Sequence, residues 1–188
     1  MEQTGEYRIQ AGLHEVWAGL NDPDVLARCI DGCQSMEKLS DDRFQTSVKA
    51  KVGPVSATFQ AVLTLVDVNA PSSYTIHADV KGGAAGFGKG TAAVQLTSDE
   101  GHAGATLLRY QVKANVGGKL AQIGQRLIDG AARKMADDFF AVFGEEVSGV
   151  APEATGAAAP AESYERSGQW IIWLIVFGAL ALAMIFAI

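Results

Sequence analysis

The chain has 188 residues, 48% of them hydrophobic and 19% charged, with a formal net charge of −6 at pH 7. That length holds one domain with accessory segments. The acidic balance, with no basic cluster in the sequence, argues against a body drawn to nucleic acid or to anionic headgroups.

Residues 2–9 suggest a strand and residues 14–20 a short helix. A second helix follows over residues 22–30, started by Asp22 with Pro23 at its first position. Asp31-Gly32 breaks it. Strands are predicted over residues 44–52, 56–68, 73–80, 90–97 and 105–116, separated by turn residues. Two alternate cleanly. Tyr74, Ile76, Ala78 and Val80 oppose Thr75, His77, Asp79 and Lys81; Leu108, Tyr110, Val112, Ala114 and Val116 oppose Arg109, Gln111, Lys113 and Asn115. A period of two with one apolar face marks an antiparallel sheet wet on one side. After Gly117-Gly118, apolar residues spaced three and four apart predict one amphipathic helix over residues 119–146, with Asp129–Arg133 and Arg133–Asp137 as ion pairs on its outer face.

Residues 147–169 are rich in Ala, Gly, Pro and Ser and carry almost no large apolar side chain. They read as a flexible linker with a root-mean-square reach of about 25–30 Å. Residues 170–188 contain no charged residue. As a helix they extend about 28 Å, close to the roughly 30 Å of a bilayer core. They predict a C-terminal transmembrane helix, with Trp170 and Trp173 in the interfacial zone. No export signal stands ahead of it and Arg166 flanks it. The folded part is therefore expected on the cytoplasmic face of the cell membrane. Free Cys29 and Cys33 agree with that reducing compartment.

Taken together the elements predict an α+β domain over residues 1–146, a linker over 147–169 and a membrane anchor over 170–188. The curved antiparallel sheet is expected to wrap around the long C-terminal helix and leave a cavity between them. The stretches VWAGLNDPDVLARCIDGC (residues 16–33) and VGGKLAQIGQRLIDGAARKMADDFF (residues 116–140) resemble the carbon monoxide dehydrogenase G-subunit family. Where that family shows a proline before the glycine, this chain has Asp31. The resemblance implies the helix-grip fold of the START-like and polyketide cyclase superfamily. It also implies a respiratory quinone (menaquinone or ubiquinone) as bound ligand, and a molybdenum-containing carbon monoxide dehydrogenase or related hydroxylase as partner.

Candidate lining residues for an apolar ligand site are Phe59, Leu63, Leu65, Tyr74, Ile76, Leu108, Tyr110, Ile123, Leu127, Met135 and Phe139, and Tyr74 or Tyr110 is placed to donate to a quinone carbonyl. No catalytic constellation and no metal site is expected. His14, His77 and His102 are scattered, and no nucleophile is paired with a histidine and an acid. Gly83 to Lys89 fits the first half of a phosphate loop, but Gly90 stands where Ser or Thr would hold magnesium, and strands flank the run on both sides. It is expected to be a hairpin loop with Phe87 and Lys89 at its tip. The functional expectation is a non-catalytic binding module. The alternatives are a pure docking adaptor and an enzyme acting on a hydrophobic substrate.

Overall fold

The computed structural model describes residues 1–148. In chain order they form β1 (Glu2–Ile9), α1 (Leu13–Leu20), α2 (Pro23–Cys29), β2 (Cys33–Ser40), β3 (Arg43–Val52), β4 (Val55–Asn69), β5 (Ser73–Lys81), β6 (Phe87–Ser98), β7 (Thr106–Gly117), α3 (Lys119–Gln122) and α4 (Gln125–Ser148). The predicted linker begins two residues inside α4, and its remainder lies outside the described residues. So do the whole predicted anchor, Trp170 and Trp173. Among the described residues no helix is long and apolar enough to cross a membrane.

All seven strands form one antiparallel sheet in the order β1-β7-β6-β5-β4-β3-β2. Seven strands set about 4.8 Å apart would span about 29 Å if flat. Yet α4, a single helix about 10 Å across, touches β1 at one edge and β3 near the other. The sheet must therefore curl around it. This is the α+β, helix-gripping arrangement expected from the order of elements.

Local signals explain where the elements begin and end. The Asp22 carboxylate accepts from the backbone N–H of Asp24 at 2.8 Å, capping α2 with Pro23 in its first turn. The Glu15 side chain accepts from Gly12 N–H at 2.8 Å and closes the start of α1. Strand β2 was not expected. Its sequence CQSMEKLS does not alternate, and most of it is exposed. An edge strand paired only to β3 needs no buried face of its own.

The predicted single helix over residues 119–146 is two helices. Gly124 at φ +90° interrupts it, a backbone conformation that glycine enters at little cost. The break resets the phase of the apolar stripe. In α4 the buried positions are Ile128, Ala132, Met135, Ala136, Phe139, Phe140, Phe143 and Gly144, spaced three and four apart. Leu127 falls off that stripe and is 58% exposed. Neither expected ion pair of this helix forms. Asp129 accepts from the Gln125 amide at 2.6 Å, Asp137 accepts from the Tyr7 hydroxyl at 2.6 Å, and Lys134–Asp138 is the ion pair one turn apart, at 2.7 Å.

Candidate functional site

The concave face of the sheet holds an apolar cavity of about 100 Å³ against α4. Its origin lies in the register. Cross-strand neighbours Ile76, Ala92 and Val112 form the inward row that lines it, and Ala78, Gly90 and Ala114 the inward row beyond. The helix answers with Ala132 and Ala136. Small side chains on both layers leave space that large ones elsewhere in the core fill. Residues such as Leu63, Leu65, Val94, Leu108 and Phe139 wall that space, and Leu20 and Leu26 of the entry helices line it as well.

Of the expected lining residues, Leu63, Leu65, Tyr74, Ile76, Leu108, Tyr110 and Phe139 surround the cavity. Four are placed elsewhere. Phe59 is buried with its ring against Gly82, where no Cβ would fit, and Met135 is fully buried within the packed core. Ile123 sits at the end of α3, half-buried, and Leu127 faces solvent because the break at Gly124 turns it off the apolar stripe. The contrast has a measurable consequence. Leu127→Glu is expected to change the unfolding free energy by no more than about 0.5 kcal/mol. Met135→Glu, which buries a charge without a partner, is expected to abolish the cooperative transition in a urea titration.

Sequence reasoning missed the small residues, because a hydrophobicity pattern weights the bulky ones. The signal was present: Gly88, Gly90, Ala92 and Val94 continue the inward alternation of β6. It also missed Gln3, which reaches the cavity from β1, and Phe140, which lies in the same turn of α4 as Phe139.

The polar groups at the cavity differ in a way that decides their chemistry. The Tyr7 hydroxyl donates to Asp137, tying β1 to α4. The Tyr7 ring lies 4.2 Å from that of Phe140, and the Tyr110 ring 6.1 Å from each. The Tyr110 phenol interacts electrostatically with the Tyr7 phenol and with Asp137. Burial pushes the phenols of Tyr7 and Tyr110 above their ordinary range, and the Asp137 carboxylate adds to the effect at Tyr7. Tyr74 is different. It is 5% exposed, its ring meets Trp17 edge-on at 5.3 Å, and no side-chain or backbone group among the described residues bonds its hydroxyl. Burial alone raises its pKa, so it remains a protonated donor at physiological pH.

The glycine-rich run turns through a 3-10 segment at Gly83–Ala85, and strands flank it as expected. Phe87 and Lys89 are not at its tip, however. Both belong to β6, and Lys89 is paired with Asp79 at 2.6 Å. Cys29 is buried and Cys33 half-buried, and both are free. Burial pushes the Cys29 thiol up to about 12, the opposite of an activated cysteine. Among the described residues no three His, Cys, Asp or Glu side chains gather as a metal site.

Residues 5–148 match the model of a family described as the carbon monoxide dehydrogenase G-subunit (CoxG). No curated protein matches the chain. Among solved structures, a conserved protein from Geobacillus kaustophilus is 30% identical with a TM-score of 0.73, covering 79% of this chain and 96% of its own. A START superfamily protein from Mycobacterium smegmatis superposes with a TM-score of 0.60 at 10% identity, covering 79% of this chain and 97% of its own. The ZhuI aromatase/cyclase from Streptomyces sp. R1128 gives 0.56 at 12% identity, covering 78% and 93%. At such identities the last two speak to the fold alone.

Proposed function

The chain belongs to the CoxG family of carbon monoxide dehydrogenase, and from that membership we propose a non-catalytic accessory protein. In this reading it binds or delivers a respiratory quinone through the apolar cavity. It also recruits a molybdenum hydroxylase of the carbon monoxide dehydrogenase type to the cytoplasmic face of the membrane. Residues 170–188 are the anchor, and the linker keeps domain and bilayer at high effective concentration without surface affinity.

The observation that carries the reading is the Tyr74 hydroxyl, buried at an apolar cavity and lacking a protein acceptor among the described residues. A buried hydroxyl without a partner costs on the order of 1–3 kcal/mol. A ligand that brings an acceptor oxygen into an otherwise greasy space recovers that cost. A quinone carbonyl is such an acceptor, and the quinone ring matches the apolar walls. Size sets a further condition. An engineered cavity of about 150 Å³ accommodates benzene, so about 100 Å³ suits part of a ring system and not an isoprenoid chain. The cavity must widen to take a whole headgroup, and the tail must run outside it.

Protein purified from native membranes in mild detergent provides the test, by mass spectrometry of its organic extract. A stoichiometric isoprenoid quinone is the expected result. An extract free of quinone, from protein that still captures the hydroxylase, would leave only a docking role.

A further inference from the structure

The convex face of the sheet carries a charge opposite to that of the chain as a whole. Successive side chains of a strand point to opposite faces, and the register of β3 through β6 sets the outward ones side by side. On β3 these include Arg43, Lys49 and Lys51; on β5, Lys81; on β6, Lys89. Within the paired stretches of these four strands Asp79 is the only outward carboxylate, and Lys89 already holds it at 2.6 Å. Arg43, Lys49 and Lys81 are exposed and form no ion pair among the described residues. A protein of net charge −6 thus gathers an excess of cations on one face. The sequence hides them because they are spread over three strands. A recess of about 540 Å³ crosses this face, bordered by Arg43, Lys81 and the Lys89–Asp79 pair, with Gln60, His77 and Thr91 between them.

We infer that this face docks an acidic protein segment, a run of Asp and Glu side chains laid along the recess. Charge complementarity of this kind steers encounter and fixes register. The amide of Gln60 and the hydroxyl of Thr91 offer donors between the cations. A bilayer is the poorer match. Membrane-bound faces couple projecting cations to apolar wedges, whereas Arg43, Lys81 and Lys89 border a recess whose only sizeable apolar side chain is Val62, with Lys49 and Lys51 farther along β3. The inference deepens the recruiting role proposed above, since it supplies a partner face on the side of the sheet away from the cavity.

The test uses the full-length chain in phosphatidylcholine nanodiscs, titrated with a fluorescent octaglutamate peptide and followed by anisotropy. Binding is expected at about 50 mM salt, with a loss of at least about tenfold at 300 mM as screening sets in. The triple variant R43E/K49E/K81E is expected to weaken binding at least about tenfold while keeping the wild-type circular dichroism, because all three side chains are exposed and outside ion pairs. Equal binding by the triple variant, or no binding at low salt, would overturn the inference. So would charge-dependent attachment to vesicles containing phosphatidylglycerol, lost in the triple variant, when the peptide itself is not bound. The organic extract of the triple variant is expected to equal that of the wild type, so failure of this face and failure of the quinone site register separately.

Discussion

Tyr74→Phe is expected to make the empty protein more stable and the loaded protein weaker. The substitution removes one buried oxygen that has no protein partner among the described residues and leaves the ring in its edge-on contact with Trp17. Relief of that unsatisfied group should raise the unfolding free energy by about 1 kcal/mol. For a domain of this size the melting temperature rises by about 3 °C. A ligand that accepts from the same hydroxyl loses one hydrogen bond, so quinone affinity should fall about tenfold. Thermal unfolding of the delipidated protein and quinone titration of the same sample read the two effects. A loss of stability above about 1 kcal/mol with unchanged affinity would mean that the hydroxyl has a structural partner and that the ligand docks elsewhere. Tyr110→Phe serves as the comparison. Its hydroxyl, unlike that of Tyr74, has the polar neighbours Tyr7 and Asp137, so that change should not raise stability.

Gly86→Ala is expected to destabilise the domain by about 3–5 kcal/mol, a large effect for a single methyl group. Gly86 has φ 125° and ψ −159°, and Gly118 across from it has φ 76° and ψ −150°. Both lie in a region that only glycine enters cheaply, at a strain of about 1–3 kcal/mol for other residues. The two backbones also approach so closely that a Cβ on Gly86 would overlap the Gly117 carbonyl and the Gly118 Cα. Gly83→Ala is the control. Its φ is +55° but nothing lies within 4 Å of an added Cβ, so only about 1 kcal/mol should be lost. Urea midpoints of the two variants should differ widely. If they coincide, the seam is not a fixed contact.

These two glycines also show how far the sequence could be read. The run from Gly82 to Gly90 was legible as a link between strands, because the alternation on either side is regular. It was not legible that the run divides, with Gly82 to Gly86 turning and the strand expected from Gly90 already under way at Phe87, with Gly88 as an inward position. Glycine has no side chain to declare a face, so only the pairing with Val80 and Val116 reveals it. The same limit hid the heart of the cavity. Large apolar residues announce a core, and Tyr74 and Leu108 are among those whose period alone put them on its inner face. The space itself lies against Ala92, Ala132 and Ala136, where the pattern is quiet. The exposed position of Leu127 depended on the helix break at Gly124, which a spacing of three and four residues bridges without interruption. Strand β2 lacked any alternation because it occupies an edge.

The neighbour order of the sheet has a consequence for biosynthesis. β1 pairs only with β7, and these segments are about a hundred positions apart in the polypeptide. At a ribosomal pace of 5–20 residues per second, the first strand waits roughly 5–20 s for its mate. Until then its hydrogen-bonding edge and the inner surface meant for α4 lie open, a liability for aggregation. Maturation of this protein should therefore depend on chaperone shelter more than its modest size suggests, and fragments lacking the last strand should be cleared or precipitate instead of accumulating.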